Sequence, residues 1–316
     1  MSISGTGHQV PLALSTSWNS SRHTSGEQML AEISALGFDH VELGHGIRNS
    51  LWEGIERFLG TNPMKVTSLR NFSPLPYENN EIFPEPWDFT AGCAEKRAQA
   101  QKLSMRTVEF ARKIGAGFVV MHLGSVQMPL FTEVLCKQIQ EGRYLDRSYV
   151  SRKLQAIQKR EASSDYDRIV EWLKPIVDCA TAAGVTIAIE IRSGIETFPS
   201  ERELRRLFTD IASIGYWHDS GHAQIRHNLT LADHAEWLSE MSPRLVGCHI
   251  HDVIFPCSAY QLPFKGMIDF SALLSSVPSS IPLVWELSPQ TSGHAIAGAL
   301  ALWRERFVSR ERCSAG

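Results

Sequence analysis

Eight short apolar runs, most of them rich in β-branched residues, alternate along this chain with longer segments of helical period. The runs are "VPLALST" (10–16), "HVEL" (40–43), "KVTSLRNF" (65–72), "GFVVMHLG" (117–124), "VTIAIEI" (185–191), "IGYWHDS" (214–220), "LVGCHIHDV" (245–253) and "PLVWEL" (282–287). Between them lie segments such as "GEQMLAEISALG", "EKRAQAQKLSMRTVEFARKIG" and "SERELRRLFTDIA", most ending at or near Gly or Pro, as helices do. Parallel strands need long crossover connections, normally helical and right-handed. Eight such units predict a closed (β/α)8 barrel rather than an open doubly wound sheet. No G-x-G-x-x-G follows a strand run, so the dinucleotide-binding alternative lacks its fingerprint.

The 316 residues read as one α/β domain, 1–316, without linker or low-complexity tract. Two excursions interrupt the alternation. Residues 73–92, after the third run, are rich in proline and aromatics; residues 126–164, after the fourth, read as extra helix over one mouth of the barrel. Loops that follow barrel strands carry the active site, so both are candidate lids. A hydrophobic fraction of 43% supports a substantial core, and a net charge of −3 gives no electrostatic footprint for nucleic acid or an anionic membrane. The cysteines (Cys93, Cys136, Cys179, Cys248, Cys257 and Cys313) include no C-x-x-C pair and read as reduced thiols. With no leader-like N-terminus and no long apolar span, the expectation is a cytoplasmic protein.

Polar residues recur at the C-terminal ends of the strand runs: Glu42, Arg70 with Asn71, His122, Glu190, Asp219 with His222, His249 with His251, and Glu286. In a closed barrel those ends converge on one small volume. Glu190, Asp219, His249 and Glu286, from the last four strands, would then form a cluster of three carboxylates and an imidazole. Without a cation such a cluster repels itself and must take up protons. A divalent metal relieves the repulsion. Oxygen-rich ligation with one imidazole suits Mn²⁺ best, with Mg²⁺, Co²⁺ or Zn²⁺ also admitted.

The stretches "LGFDHVELG", "GAGFVVMHLG", "AGVTIAIEI", "HDSGHA", "HIHD" and "LPFKGMIDF" resemble the xylose isomerase-like barrel superfamily, in its branch of sugar phosphate isomerases and epimerases. Ketose 3-epimerases, inosose dehydratases and endonuclease IV belong to the same group. The resemblance spans nearly the whole chain and implies that Glu190, Asp219, His249 and Glu286 bind one divalent metal. It selects His249 over His251, because the family's H-x-x-D motif aligns with His249 and Asp252. It also implies that His222 reaches a substrate oxygen and that His122 lies near the site. Two departures argue against a three-metal nuclease centre: Arg70 and Gln261 stand where relatives often carry His. Arg70, Arg192 and Lys265 become candidates to hold a substrate anion, and Glu42 to line the pocket.

The activity so implied is a metal-dependent isomerase or epimerase of carbohydrate metabolism. Glu190 and Glu286 would be the acid/base pair, working through an enediolate. A dehydratase or a keto-sugar or glycoside lyase on the same site, an endonuclease IV-like metal phosphodiesterase, and a non-catalytic binding subunit are the alternatives. The expected partner is a small sugar or sugar derivative, without nucleic acid or membrane. Similar proteins are commonly dimers or tetramers, so a homo-oligomer is compatible.

Overall fold

Parallel pairing takes up the backbone donors and acceptors of each apolar run, and it continues from strand to strand until the ring closes. The structure, a computed structural model, describes residues 11–75, 89–162 and 166–308. The strands are β1 (Leu12–Ser15), β2 (His40–Leu43), β3 (Lys65–Arg70), β4 (Phe118–Met121), β5 (Thr186–Glu190), β6 (Gly215–Asp219), β7 (Leu245–Ile250), β8 (Asp252–Ile254), β9 (Ser258–Gln261) and β10 (Leu283–Trp285). All but β8 and β9 form the barrel, which closes where β10 pairs with β1, Leu12 opposite Leu283. The short antiparallel hairpin β8–β9 stands on the loop after β7. The expected (β/α)8 barrel is therefore present.

The helices are α1 (Gly26–Ala35), α2 (Asn49–Thr61), α3 (Ala94–Ile114), α4 (Phe131–Gln140), α5 (Arg147–Ala162), α6 (Tyr166–Ala182), α7 (Glu201–Asp210), α8 (Ser220–Asn228), α9 (His234–Met241), α10 (Phe270–Ser275) and α11 (Gly293–Trp303). Helix α7 shows why these segments are helical. Ser200 and Glu203 close a capping box at its start, and Leu204, Leu207 and Phe208 form its buried stripe. Helix α3 ends at Gly115, whose φ of 75° suits a residue without Cβ. The excursion after β4 holds two helices, α4 and α5, and α8 is a further helix that the apolar pattern did not mark. Of the loop 73–92, residues 76–88 lie outside the described residues. No helix among the described residues is long and apolar enough to cross a membrane.

One expectation is corrected. Cys136 in α4 and Cys257 in the β8–β9 turn form a disulfide, with Cα atoms 6.2 Å apart across 121 residues of sequence. The pair is made by tertiary proximity, which spacing rules for nearby cysteines do not see. Cys93, Cys179 and Cys248 are free thiols, and Cys313 lies outside the described residues. The bond ties the α4 excursion to the hairpin.

Side chains two residues apart on a strand share a face, so each barrel strand sends a layered series into the ring. The lower layer is a dry cluster of Ala13, Val120, Ala188, Trp217 and Val284. The next inward positions on the same strands are Ser15, His122, Glu190, Asp219 and Glu286, all at the C-terminal rim. Trp217 fills the centre of the lower layer because its neighbours are small. It is paired in register with Gly247, where an added Cβ would come within 2.2 Å of the indole. Overpacking of this kind costs about 1–3 kcal/mol. Gly247→Ala is expected to lower unfolding stability by about that amount in denaturant titration; an unchanged midpoint would show that Trp217 is not confined as described.

Candidate metal centre and active site

Glu190 ends β5 and is 1% exposed, Asp219 ends β6 at 2%, and His249 on β7 is fully buried. Glu286 follows β10 and is 4% exposed. Ring closure brings them together. One atom of each lies within 4.8 Å of the corresponding atoms of the other three. The four sequence-derived ligand candidates are thus adjacent in space.

His249 sits between carboxylates on both sides. Its Nε2 lies 2.9 Å from Glu42 Oε2, which also accepts a 2.8 Å hydrogen bond from Ser68. Its Nδ1 looks into the cluster, 3.0 Å from Glu190 Oε2, 3.7 Å from Glu286 Oε2 and 3.9 Å from Asp219 Oδ2. Burial disfavours the imidazolium, but Glu42 first among the neighbouring carboxylates outweighs it and holds the His249 pKa well above its usual value. Glu42 is fully buried behind the imidazole.

Asp219 has two further attachments. Its Oδ1 accepts from the His222 backbone N–H at 2.7 Å, capping α8, and lies 3.0 Å from His251 Nε2. His251 Nδ1 in turn accepts from the Tyr260 N–H at 3.0 Å, which puts the ring proton on Nε2, the nitrogen beside Asp219. Burial opposes charge on Asp219, yet His222 and His251 hold its pKa below the ordinary carboxylate value.

Arg70, at the end of β3, supplies a cation. It is 2% exposed and pairs through Nη1 with Glu190 Oε2, while Nη2 lies 3.5 Å from Glu286 Oε1. Its Nη1 is also 3.1 Å from His249 Nδ1, and its Nε donates to His45 Nε2 at 3.1 Å. Burial would raise the Glu190 pKa, but Arg70, followed by His122 and His249, keeps it well below the usual range. His122 Nε2 lies 3.0 Å and His222 Nδ1 3.2 Å from Glu190 Oε1.

The two other expected anion-holding cations lie on loops. Arg192 is half-buried in the loop after β5, and Lys265 is exposed in the turn after β9. Asp252 is also buried, but it accepts from the backbone N–H groups of Val253, Gly266 and Ile268 at 2.8, 2.7 and 3.0 Å, anchoring the segment after the hairpin.

The sequence reading missed Tyr260. Its hydroxyl is 3.3 Å from His222 Nε2, and its ring stacks on His251 with centroids 4.6 Å apart. It lies on a hairpin strand too short to register in the apolar pattern, and only the antiparallel fold-back brings it over the rim.

The donor set fits a divalent cation. Among the described residues, Asp219 Oδ2 and Glu286 Oε2 are buried without a hydrogen-bond donor, an arrangement that costs free energy unless something positive meets them. Both face the same volume as His249 Nδ1 and Glu190 Oε2. A hard or borderline cation would satisfy these orphaned oxygens.

A family model described as xylose isomerase-like TIM barrel matches residues 30–280. No curated protein matches the sequence. Among solved structures, a D-tagatose 3-epimerase-like protein superposes with a TM-score of 0.67 at 15% identity, covering 96% of this chain and 99% of that one. The apo 3-keto-D-glucoside 4-epimerase YcjR from E. coli gives a TM-score of 0.64 at 15% identity over 94% and 100% of the two chains. The IOLI protein, described with a binding zinc atom, gives 0.60 at 17% identity over 93% and 97%. With the model matching most of its length, and with the closed parallel ring the model describes, the chain belongs to the xylose isomerase-like TIM barrel family.

Proposed function

We propose that the protein is a divalent-metal-dependent isomerase or epimerase of a sugar or sugar derivative, moving a proton at a carbon beside a carbonyl. One observation carries this reading: Glu190, Asp219, His249 and Glu286 converge at the barrel rim, with buried, donorless oxygens on Asp219 and Glu286. Two similar structures, described as a D-tagatose 3-epimerase-like protein and a 3-keto-D-glucoside 4-epimerase, support a sugar as the substrate class. The zinc described in another supports a metal, and the oxygen-rich donor set favours Mn²⁺.

A divalent cation held by Glu190, Asp219, His249 and Glu286 would polarise the substrate carbonyl and favour the enediolate. Glu190 and Glu286 extend from different strands, β5 and beyond β10, so their carboxylates reach the volume from different directions. Each would ligate through one oxygen and exchange a proton through the other, on Glu190 the Oε1 beside His122 and His222, one carboxylate taking it and the other returning it. Return to the opposite face gives an epimer, and return to the neighbouring carbon an aldose–ketose pair. Loss of a β-substituent from the same intermediate gives a dehydratase or lyase. His222, fixed between Glu190 and Tyr260, donates to a substrate oxygen and offsets the charge that develops there. Glu42 holds His249 through Nε2, so that Nδ1 points at the ligand volume.

A second reading, a multi-metal phosphodiesterase on the same barrel, has one observation in its favour. Asp219, His222 and His251 form a second group of converging donors. Arg70 opposes it, because a guanidinium, which is no metal ligand, stands where the family resemblance leads one to expect a further imidazole.

Incubation with Mn²⁺ and a panel of ketoses and keto-glycosides in D₂O is expected to place solvent deuterium on carbon beside the carbonyl. Failure to label any of them would contradict proton-transfer chemistry. Glu190→Gln and Glu286→Gln are each expected to lower kcat by about 10²–10⁴-fold; a variant that retains wild-type turnover removes that residue from the acid/base pair. Glu42→Gln is expected to weaken metal affinity roughly 10–100-fold, read by isothermal titration, with unchanged affinity marking Glu42 as a mere packing residue.

A further inference from the structure

Arg70 uses the atoms that a metal ion would need. Its Nη1 is against Glu190 Oε2 and 3.1 Å from His249 Nδ1, and its Nη2 is 3.5 Å from Glu286 Oε1. Three of the four candidate ligands therefore face this guanidinium. An ion bound by Glu190 Oε2 and His249 Nδ1 at ordinary coordination distances of about 2.0–2.2 Å would sit beside Nη1, placing two positive charges in one buried pocket and competing for the same carboxylate oxygen. Coulomb repulsion at that range is severe even with a generous effective dielectric. The guanidinium has two further polar contacts outside the four candidate ligands, His45 Nε2 at 3.1 Å from Nε and His122 Nε2 at 3.2 Å from Nη2.

We propose that Arg70 is a resident counter-cation: it holds the ligand carboxylates together in the metal-free protein and withdraws from Glu190 when a divalent ion enters. The inference rests on the metal-site reading above and adds to it that loading is an exchange of one cation for another. An exchange has a measurable consequence. The wild-type affinity carries the cost of displacing the guanidinium, and the metal-free protein carries the benefit of its presence. A purely structural ion pair would stay in place on metal binding and would impose no such trade.

The test is Mn²⁺ titration of metal-stripped wild-type protein and of Arg70→Met by isothermal calorimetry, with thermal unfolding of both metal-free forms. The Met variant is expected to bind Mn²⁺ at least tenfold more tightly and, without metal, to melt below the wild type. A crystal structure of Mn²⁺-loaded wild-type protein serves as the measurement independent of whether the variant folds. It is expected to show the guanidinium off Glu190. Equal or weaker affinity in a folded Met variant, or an ion bound with Arg70 still on Glu190, overturns the exchange and leaves the metal site standing. Failure of the folded proteins to bind Mn²⁺ at all sinks the metal site and the exchange together.

Discussion

Buried negative charge at the rim of the barrel is the constraint on which the rest of the site depends. Glu42, Glu190, Asp219 and Glu286 are each at most 4% exposed, inside a ring whose lower layer is dry. Two like charges 4 Å apart repel by about 4 kcal/mol at an effective dielectric near 20, so four carboxylates in this space need compensation. Arg70, His249 and the donors on Asp219 provide part of it. The remaining oxygens of Asp219 and Glu286 turn toward one shared volume, and this shortfall is what would let the cluster hold a cation.

The barrel and its converging carboxylates were legible in the sequence for one physical reason. A strand covered on both faces reads as a continuous apolar run, and a carboxylate at its end stands out against it, as Glu190 does in "IAIEIRSG". What was not legible is what ring closure and long-range contact create. Arg70 at a strand end looks like an anion holder until Glu190, 120 positions away, is seen to meet it. Glu42 looks like a pocket residue, but ring closure leaves only β1 and β10 between β2 and β7, and its carboxylate lands on His249 Nε2. Helix α8, "SGHAQIRHN", has a weak apolar pattern and opens with poor helix formers; the cap from Asp219 helps to start it.

The rim is also where the chain departs from a bare alternation of strand and helix. The hairpin β8–β9 places Tyr260 over His222 and His251, and the Cys136–Cys257 bond fixes that hairpin to α4. Helix α4 is fastened to the loop after β5, where Glu196 accepts from the N–H of Thr132 at 2.8 Å and from its hydroxyl at 2.6 Å. Three loops from different strands are thereby joined into one wall around the mouth. In a barrel of this kind the strand ends supply the chemistry, and such a wall supplies the choice of substrate.

Glu190, Asp219, His249 and Glu286 are proposed to hold a single divalent ion. Elemental analysis of protein dialysed against Mn²⁺ and then freed of loose ions, paired with the same analysis of Asp219→Asn, tests it most directly. One ion per chain in the wild type and close to none in the variant is the predicted result. No retained ion in the wild type, or the same ion content in both proteins, would contradict it.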